Sequence, residues 1–191
     1  MEYTGMQIPF ELVPFEEMNK KQAEQYFNWF METKEERLQN LQRYISRDTK
    51  EVLLDKTPNS LIGLWKWFQA KIIWEEKTKE ELQTELAERP EWMKKHIIES
   101  TQKLSLVTRI IAFDISVYFG EVMVCNNDSL YWGYKMKPKK LDGVNRPIIM
   151  GFVGEQCFLP YTLIEVCIRK TTRCPNDSQL FDLYHVWYQS V

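Results

Sequence analysis

The sequence contains few of the residues that build catalytic and cofactor-binding loops. It has only seven glycines and two histidines, and it contains no Gly-x-Gly-x-x-Gly, P-loop or Gly-x-Ser-x-Gly pattern. Glycine lets the backbone approach a phosphate closely, so this scarcity argues against nucleotide-dependent enzymes. We therefore assign no catalytic residue and expect no cofactor.

The cysteines also lack a recognisable site pattern. Cys125, Cys157, Cys167 and Cys174 do not form the close pairs, about two to four residues apart, that bind structural zinc. No basic stretch followed by an apolar run opens the sequence, so we expect a cytoplasmic protein whose cysteines are thiols. Cys125 and Cys167 follow or lie among apolar residues and are expected to be buried.

Long hydrophobic runs and an excess of positive charge are both absent. The longest near-apolar stretch, residues 110–119, is interrupted by Asp114 and is shorter than the ~20 residues of a membrane-spanning helix. The formal net charge is −2 and the isoelectric point is about 5.8, which disfavours nucleic-acid binding. Residues 135–140 carry four lysines after several aromatic residues, and we interpret them as a solvated turn rather than a nucleic-acid site.

Aromatic residues are abundant, at 14% of the chain with seven tryptophans. Such a surplus indicates either an aromatic core or a surface that binds a partner, and the aromatic core is the favoured interpretation. In the helix predicted to open at Pro58-Asn59-Ser60, Trp67 and Trp74 form a second apolar stripe. These two tryptophans are our candidate interface residues.

Hydrophobic periodicity predicts a mainly α protein with an α+β minority. We expect a single domain over residues 1–191: an extended apolar arm (1–17), a helical part (19–119), and a small sheet with C-terminal helices (120–191). Asn19 is the predicted N-cap of the first helix, and Gly120 the residue ending the most apolar one. About six helices and a two- or three-stranded antiparallel sheet near 121–153 are expected, with further helices over 77–88, 161–170 and 180–188.

The apolar helix over 104–118 carries the one polar feature with possible chemistry. Asp114, Tyr118 and Glu121 share a face if the helix persists to Glu121. A buried Asp without a partner is costly, so Asp114 must be paired, protonated or open to a cleft. In the functional interpretation these groups line a pocket, with Trp132 and Tyr134 as further candidate binding residues.

The alternative interpretation of this strip is structural. Asp114 then forms an ion pair, for instance with Arg109, Arg146 or Arg169. We favour the structural interpretation, since the sequence does not indicate a concave site.

Three stretches, residues 114–122 (DISVYFGEV), 130–133 (LYWG) and 146–152 (RPIIMGF), are similar to a segment of small uncharacterised bacterial proteins. Some of those proteins are encoded among toxin and immunity genes. The resemblance includes no catalytic signature and implies no role for a particular residue.

These observations favour a non-catalytic intracellular protein-binding domain. Its most concrete form is an immunity-type protein that occludes a toxin partner through an aromatic-rich face, because interface cores favour Trp and Tyr over charged residues. The alternative is an enzyme or small-ligand receptor that uses the Asp114 strip. A second alternative is a structural module that associates with itself.

Overall fold

A computed structural model describes residues 3–138 and 142–191, with the side chains of His96 and Glu155 excepted. Lys139 and Lys140, which belong to the lysine-rich segment, lie outside the described residues. The described part contains seven α-helices and two antiparallel two-stranded sheets. In chain order the elements are α1 (Lys20–Asp48), α2 (Ser60–Gln69), β1 (Trp74–Glu76), α3 (Lys79–Glu88), α4 (Glu91–Glu99), β2 (Gln102–Leu104), α5 (Leu106–Cys125), β3 (Tyr131–Gly133), β4 (Ile148–Met150), α6 (Pro160–Thr171) and α7 (Gln179–Tyr188).

Helix α1 begins where the sequence predicted. The Asn19 side chain accepts a hydrogen bond from the Gln22 amide, and the Gln22 side chain accepts one from the Asn19 amide, which completes a capping box. The buried face of α1 includes Ala23, Phe30 and Leu41. The local cap and the helical period of apolar residues together explain why this helix could be predicted.

Helix α5 is the central element and packs against both α6 and α1. Ser105 caps its N-terminus by accepting a hydrogen bond from the Thr108 amide. The prediction that Gly120 ends this helix was wrong, because α5 continues to Cys125. Gly120 instead lies against the Trp132 ring, where an added Cβ would come within 2.3 Å of Trp132 Cζ2.

Helix α2 ends at Gln69, so Trp67 and Trp74 do not share a helix, contrary to the prediction. Trp74 lies in β1, opposite Leu104 of β2 in an antiparallel pair. This sheet was not predicted, because three-residue strands show no usable alternation of apolar and polar residues. Helices α3 and α4 lie between its two strands in the chain, and α4 was also not predicted.

The sheet expected near 121–153 is present. Strand β3 pairs with β4 in antiparallel register, with Trp132 opposite Ile149. Phe158 adds an isolated bridge to Ile149. Helices α6 and α7 then follow, at nearly the predicted bounds.

The aromatic surplus serves mainly the core. Residues 3–14 have no regular secondary structure, yet Tyr3 is buried, and Phe10 packs on Trp29 as Phe15 does on Tyr26. Most tryptophans are buried or half-buried, and one is exposed: Trp29, Trp65, Trp67 and Trp132 are buried, Trp74 and Trp187 are half-buried, and Trp92 is 80% exposed.

Candidate functional site

Asp114 forms a buried ion pair across the interface between α5 and α1. Its Oδ1 accepts a hydrogen bond from Arg37 Nη1 at 2.7 Å, and its Oδ2 accepts one from the Tyr3 hydroxyl. Burial raises the pKa of Asp114, while Arg37 and Tyr3 act in the opposite direction. The same burial, together with the Asp114 charge, raises the pKa of Tyr3. The arm and α1 thus supply the partners of this carboxylate.

Glu121 is the second carboxylate of the strip, and its negative charge is also compensated by cationic side chains. Its Oε1 accepts hydrogen bonds from Lys34 Nζ at 2.5 Å and from Trp132 Nε1 at 2.7 Å. Lys56 Nζ lies 3.5 Å from Oε2. Burial raises the pKa of Glu121, but the hydrogen bonds from Lys34 and Trp132 and the nearby charges outweigh it, so the pKa is lowered.

Tyr118 lies between these two residues in the sequence of α5, and its hydroxyl binds the segment that connects α1 to α2. Its hydroxyl accepts a hydrogen bond from the Lys56 amide at 2.9 Å and lies 2.5 Å from Ser60 Oγ. Lys56 has a φ of 62°, so the Tyr118 hydroxyl is one of the contacts that hold an unusual backbone conformation there. Tyr118 therefore anchors the segment that precedes α2.

The three side chains of the strip face α1 and its following loop. The ion pair at Asp114 involves Arg37, not Arg109, Arg146 or Arg169 as the sequence analysis expected. None of the three strip residues lines the cavity that borders α5. Arg37 was missed because its place on the charged face of α1 gives no local indication that it is buried.

That cavity lies on a neighbouring face of α5 and has a volume of about 240 Å³. Phe113, Ser116 and Val117 contribute one wall, and Trp132 and Arg146 contribute another. Of the five residues proposed as a binding set, only Trp132 lines it. Tyr134 instead packs on Phe27, with 5.1 Å between ring centroids.

The two predicted interface tryptophans are not exposed. Trp67 is buried, and its Nε1 donates a hydrogen bond to Asp48 Oδ2 at 2.9 Å. Hydrogen bonds from Lys71 and Trp67 lower the pKa of Asp48. Trp74 is half-buried in β1. Both side chains therefore contribute to packing.

The exposed tryptophan belongs to a segment that we call the helical hairpin, residues 77–101, which contains α3 and α4. Helix α3 has no buried residue and makes its main contacts with α4. Ile97 of α4 is buried, but it lies outside the main hydrophobic core. The Lys103–Glu81 ion pair connects α3 to strand β2, and the Lys77–Glu85 ion pair lies within the hairpin.

The hairpin combines an acidic surface with an exposed aromatic side chain. Glu80, Glu81, Glu85 and Glu88 of α3 line one open concavity together with Arg89. Glu80 and Glu88 have no ion-pair partner among the described residues. Trp92 follows at the start of α4. Pro90 before it and the charged residues around it were the sequence features that could have identified Trp92 as a surface residue.

The cysteines and the possible metal ligands of the described residues do not form a second site. Cys125 is exposed, contrary to the expectation of burial, because it ends α5 at the surface; Cys167 is buried, and burial raises its pKa. Among residues 3–138 and 142–191, no group of three or more His, Cys, Asp or Glu side chains is placed to hold a metal ion.

Comparisons of the chain with models of known protein families, with characterised proteins and with solved structures find no match. Within the described residues, no helix is both long enough and apolar enough to cross a membrane.

Proposed function

We propose that this chain is a non-catalytic protein-binding domain whose helical hairpin holds the partner. The observation that carries the proposal is Trp92, which is 80% exposed on an appendage outside the main core. Exposing a tryptophan leaves a large apolar surface in water, and tryptophan is the residue most enriched at binding hot spots. Its place on the hairpin makes it available to another protein without any change in the core.

The charge of the hairpin indicates the kind of partner. The α3 surface beside Trp92 presents Glu80 and Glu88, which form no ion pair with a described residue, together with Arg89. A partner with a basic face around an apolar pocket would match both features, because opposite potentials speed association and an aromatic anchor slows dissociation.

The most concrete form of this function is immunity to a toxin domain. A toxin that acts on nucleic acid needs a basic surface to bind phosphates, and the glutamate-rich face of α3 placed there would block it. Asp114 and Glu121 are buried and already bound to cationic side chains. This favours the proposal over the enzyme alternative, since a catalytic carboxylate must be able to reach a substrate. Self-association of the chain is an alternative outcome of the test below.

Site-specific photo-crosslinking in the native cell tests the proposal. A benzophenone amino acid is placed at position 92, and in a matched chain at position 166, where Val166 is also exposed but lies on α6. We expect a discrete adduct from position 92 that is absent from position 166. The adduct is identified by mass spectrometry, and its protein is purified for binding measurements.

With the purified partner, Trp92→Ala should raise the Kd by about 30-fold or more, as expected for a hot-spot residue. Glu80→Lys with Glu88→Lys should mainly slow association and weaken its salt dependence. A toxic partner should lose its toxicity when co-expressed with the wild-type chain and keep it with Trp92→Ala. Adducts that are the same from both positions, or none from position 92, would overturn the proposal; an adduct with a second copy of this chain would replace it with self-association.

A further inference from the structure

The cavity beside α5 is lined mainly by aromatic rings. Its volume is about 240 Å³, and an apolar cavity of about 150 Å³ already accommodates a benzene ring in other proteins. Six aromatic residues line it, from the short 3-10 turn Phe15–Glu17 before α1 and from α1, α5, β3 and α6: Phe15, Tyr26, Phe30, Phe113, Trp132 and Tyr161. Rings in such walls pack best against another flat ring, edge to face or offset.

The lining of the cavity also includes a cationic side chain, Arg146. The Arg146 guanidinium lies over the Phe15 ring, with Cζ at 4.4 Å from the centroid. Arg146 forms no ion pair with a carboxylate whose side chain the structure describes. Arg146 is exposed, so its charge lies where the cavity opens to solvent. A guanidinium held on an aromatic face remains able to bind a carboxylate through two parallel hydrogen bonds.

The backbone that carries Arg146 is firmly placed. The preceding residue, Asn145, is buried and has a φ of 58°. Its Nδ2 donates a hydrogen bond to the Phe15 carbonyl at 2.6 Å, and its amide donates one to the Lys135 carbonyl at 2.8 Å. Asn145 thus joins two parts of the cavity wall, Phe15 and the segment of Arg146.

The part of the lining that belongs to α6 adds a smaller positive contribution. Helix α6 begins there with Pro160 at its first position and has no side-chain cap. The amides of Tyr161 and Thr162, in its first turn, have no acceptor within the helix, and the dipole of a helix of this length is positive at that end. Glu165 lies one turn further along α6 and raises the pKa of Tyr161 after the larger effect of burial, but it does not line the cavity.

We infer that this cavity binds a small monocyclic aromatic carboxylate, with the ring between Phe113 and Trp132 and the carboxylate on Arg146. The ring matches the aromatic walls, and the anion compensates a charge that the described residues leave unpaired. The volume admits one ring with a short acid side chain and excludes drug-sized molecules, whose pockets start at about 300 Å³. This site is separate from the helical hairpin, so the inference does not rest on the proposed partner-binding function.

Titration calorimetry with phenylacetate tests the inference on the full chain. We expect a Kd of about 1 mM or tighter. Toluene, which lacks the carboxylate, acetate, which lacks the ring, and benzylamine, which has the opposite charge, should each bind at least tenfold more weakly. In amide NMR spectra, phenylacetate should shift the signals of residues 113, 116 and 162.

Two variants separate the carboxylate contact from general effects. Arg146→Gln should raise the Kd for phenylacetate about tenfold or more, because a charge-assisted hydrogen bond is lost. Arg169→Gln, which removes an exposed arginine of α6 outside the cavity, should leave the Kd unchanged. The inference is overturned if phenylacetate does not bind at 10 mM (~10 times the expected Kd), if toluene or benzylamine binds as well, or if both variants behave alike.

Discussion

Gly120 shows how one residue determines the fit between α5 and the β3–β4 sheet. The Trp132 ring occupies the space where a side chain would project, and an added Cβ would also lie 3.3 Å from Ile149 Cδ1. With the ring in this position, Trp132 Nε1 reaches Glu121. The absence of a side chain at Gly120 therefore supports both the packing and the polar contact.

We expect Gly120→Ala to lower the free energy of unfolding by about 1–3 kcal/mol, because the added methyl group overpacks the Trp132 contact. Urea denaturation followed by circular dichroism measures this change. The matched control is Gly63→Ala in α2, where the nearest atom to an added Cβ, Val52 Cγ2, is 3.5 Å away. That substitution should stabilise the protein by about 0.5–1 kcal/mol. Equal effects at the two glycines would contradict this account.

At the scale of elements, a row of polar contacts joins α1 to α5. Arg37 and Lys34, one turn apart on α1, bind Asp114 and Glu121 on α5. Arg37 also lies over the Phe113 ring, with Cζ 4.9 Å from the centroid. Buried ion pairs of this kind add specificity of alignment more reliably than net stability. We therefore regard the row as a device that aligns the two helices.

Removing one member of the Arg37–Asp114 pair should be costly. Asp114→Leu and Arg37→Met should each lower the free energy of unfolding by about 3–5 kcal/mol, since each leaves a buried charge or donor unpaired. The double variant should be much less destabilised than the sum of the two, which a double-mutant cycle in urea measures. If Asp114→Leu left stability intact and abolished the binding of a ligand or partner, Asp114 would have a functional role instead.

The lowered pKa of Glu121 predicts a dependence of stability on pH. A carboxyl group whose pKa is lower in the folded state contributes stability above its unfolded pKa and loses it as pH falls through the folded value. Between pH 6 and pH 3, a window around the ordinary Glu pKa of about 4.3, the wild type should lose more stability than Glu121→Gln. Thermal melts at several pH values test this. Glu36→Gln, at an exposed position of α1, should follow the wild type.

At the scale of the whole molecule, the helical hairpin is separable from the main core. Among the hairpin side chains that the structure describes, only Ile97 is buried, and it does not belong to the core cluster. Glu76 and Gln102, which flank it, are directly opposed in the β1–β2 ladder. A two-residue turn is the natural connection between directly opposed ends of antiparallel strands.

Replacing residues 77–101 with Asn-Gly should therefore preserve the fold. We expect cooperative urea unfolding with a free energy within about 1 kcal/mol of the wild type, the scale of ordinary surface changes, and an unchanged tryptophan environment in the core. The same variant should no longer bind the purified partner that position 92 captures in the wild-type chain, and it should keep phenylacetate binding. Loss of cooperative unfolding would show that the hairpin is part of the core after all.

The sequence by itself determined the elements that local chemistry specifies. The cap at Asn19, the turn at Pro58-Asn59-Ser60 and Pro160 at the first position of α6 mark helix starts through interactions a few residues long. The tertiary structure decided the rest, because it depends on contacts between distant residues. Arg37 and Asp114 are 77 positions apart, and Trp74 pairs with Leu104 in the β1–β2 sheet. Sequence showed that Asp114 needed a partner, and only the packing of α1 on α5 determined which one it has.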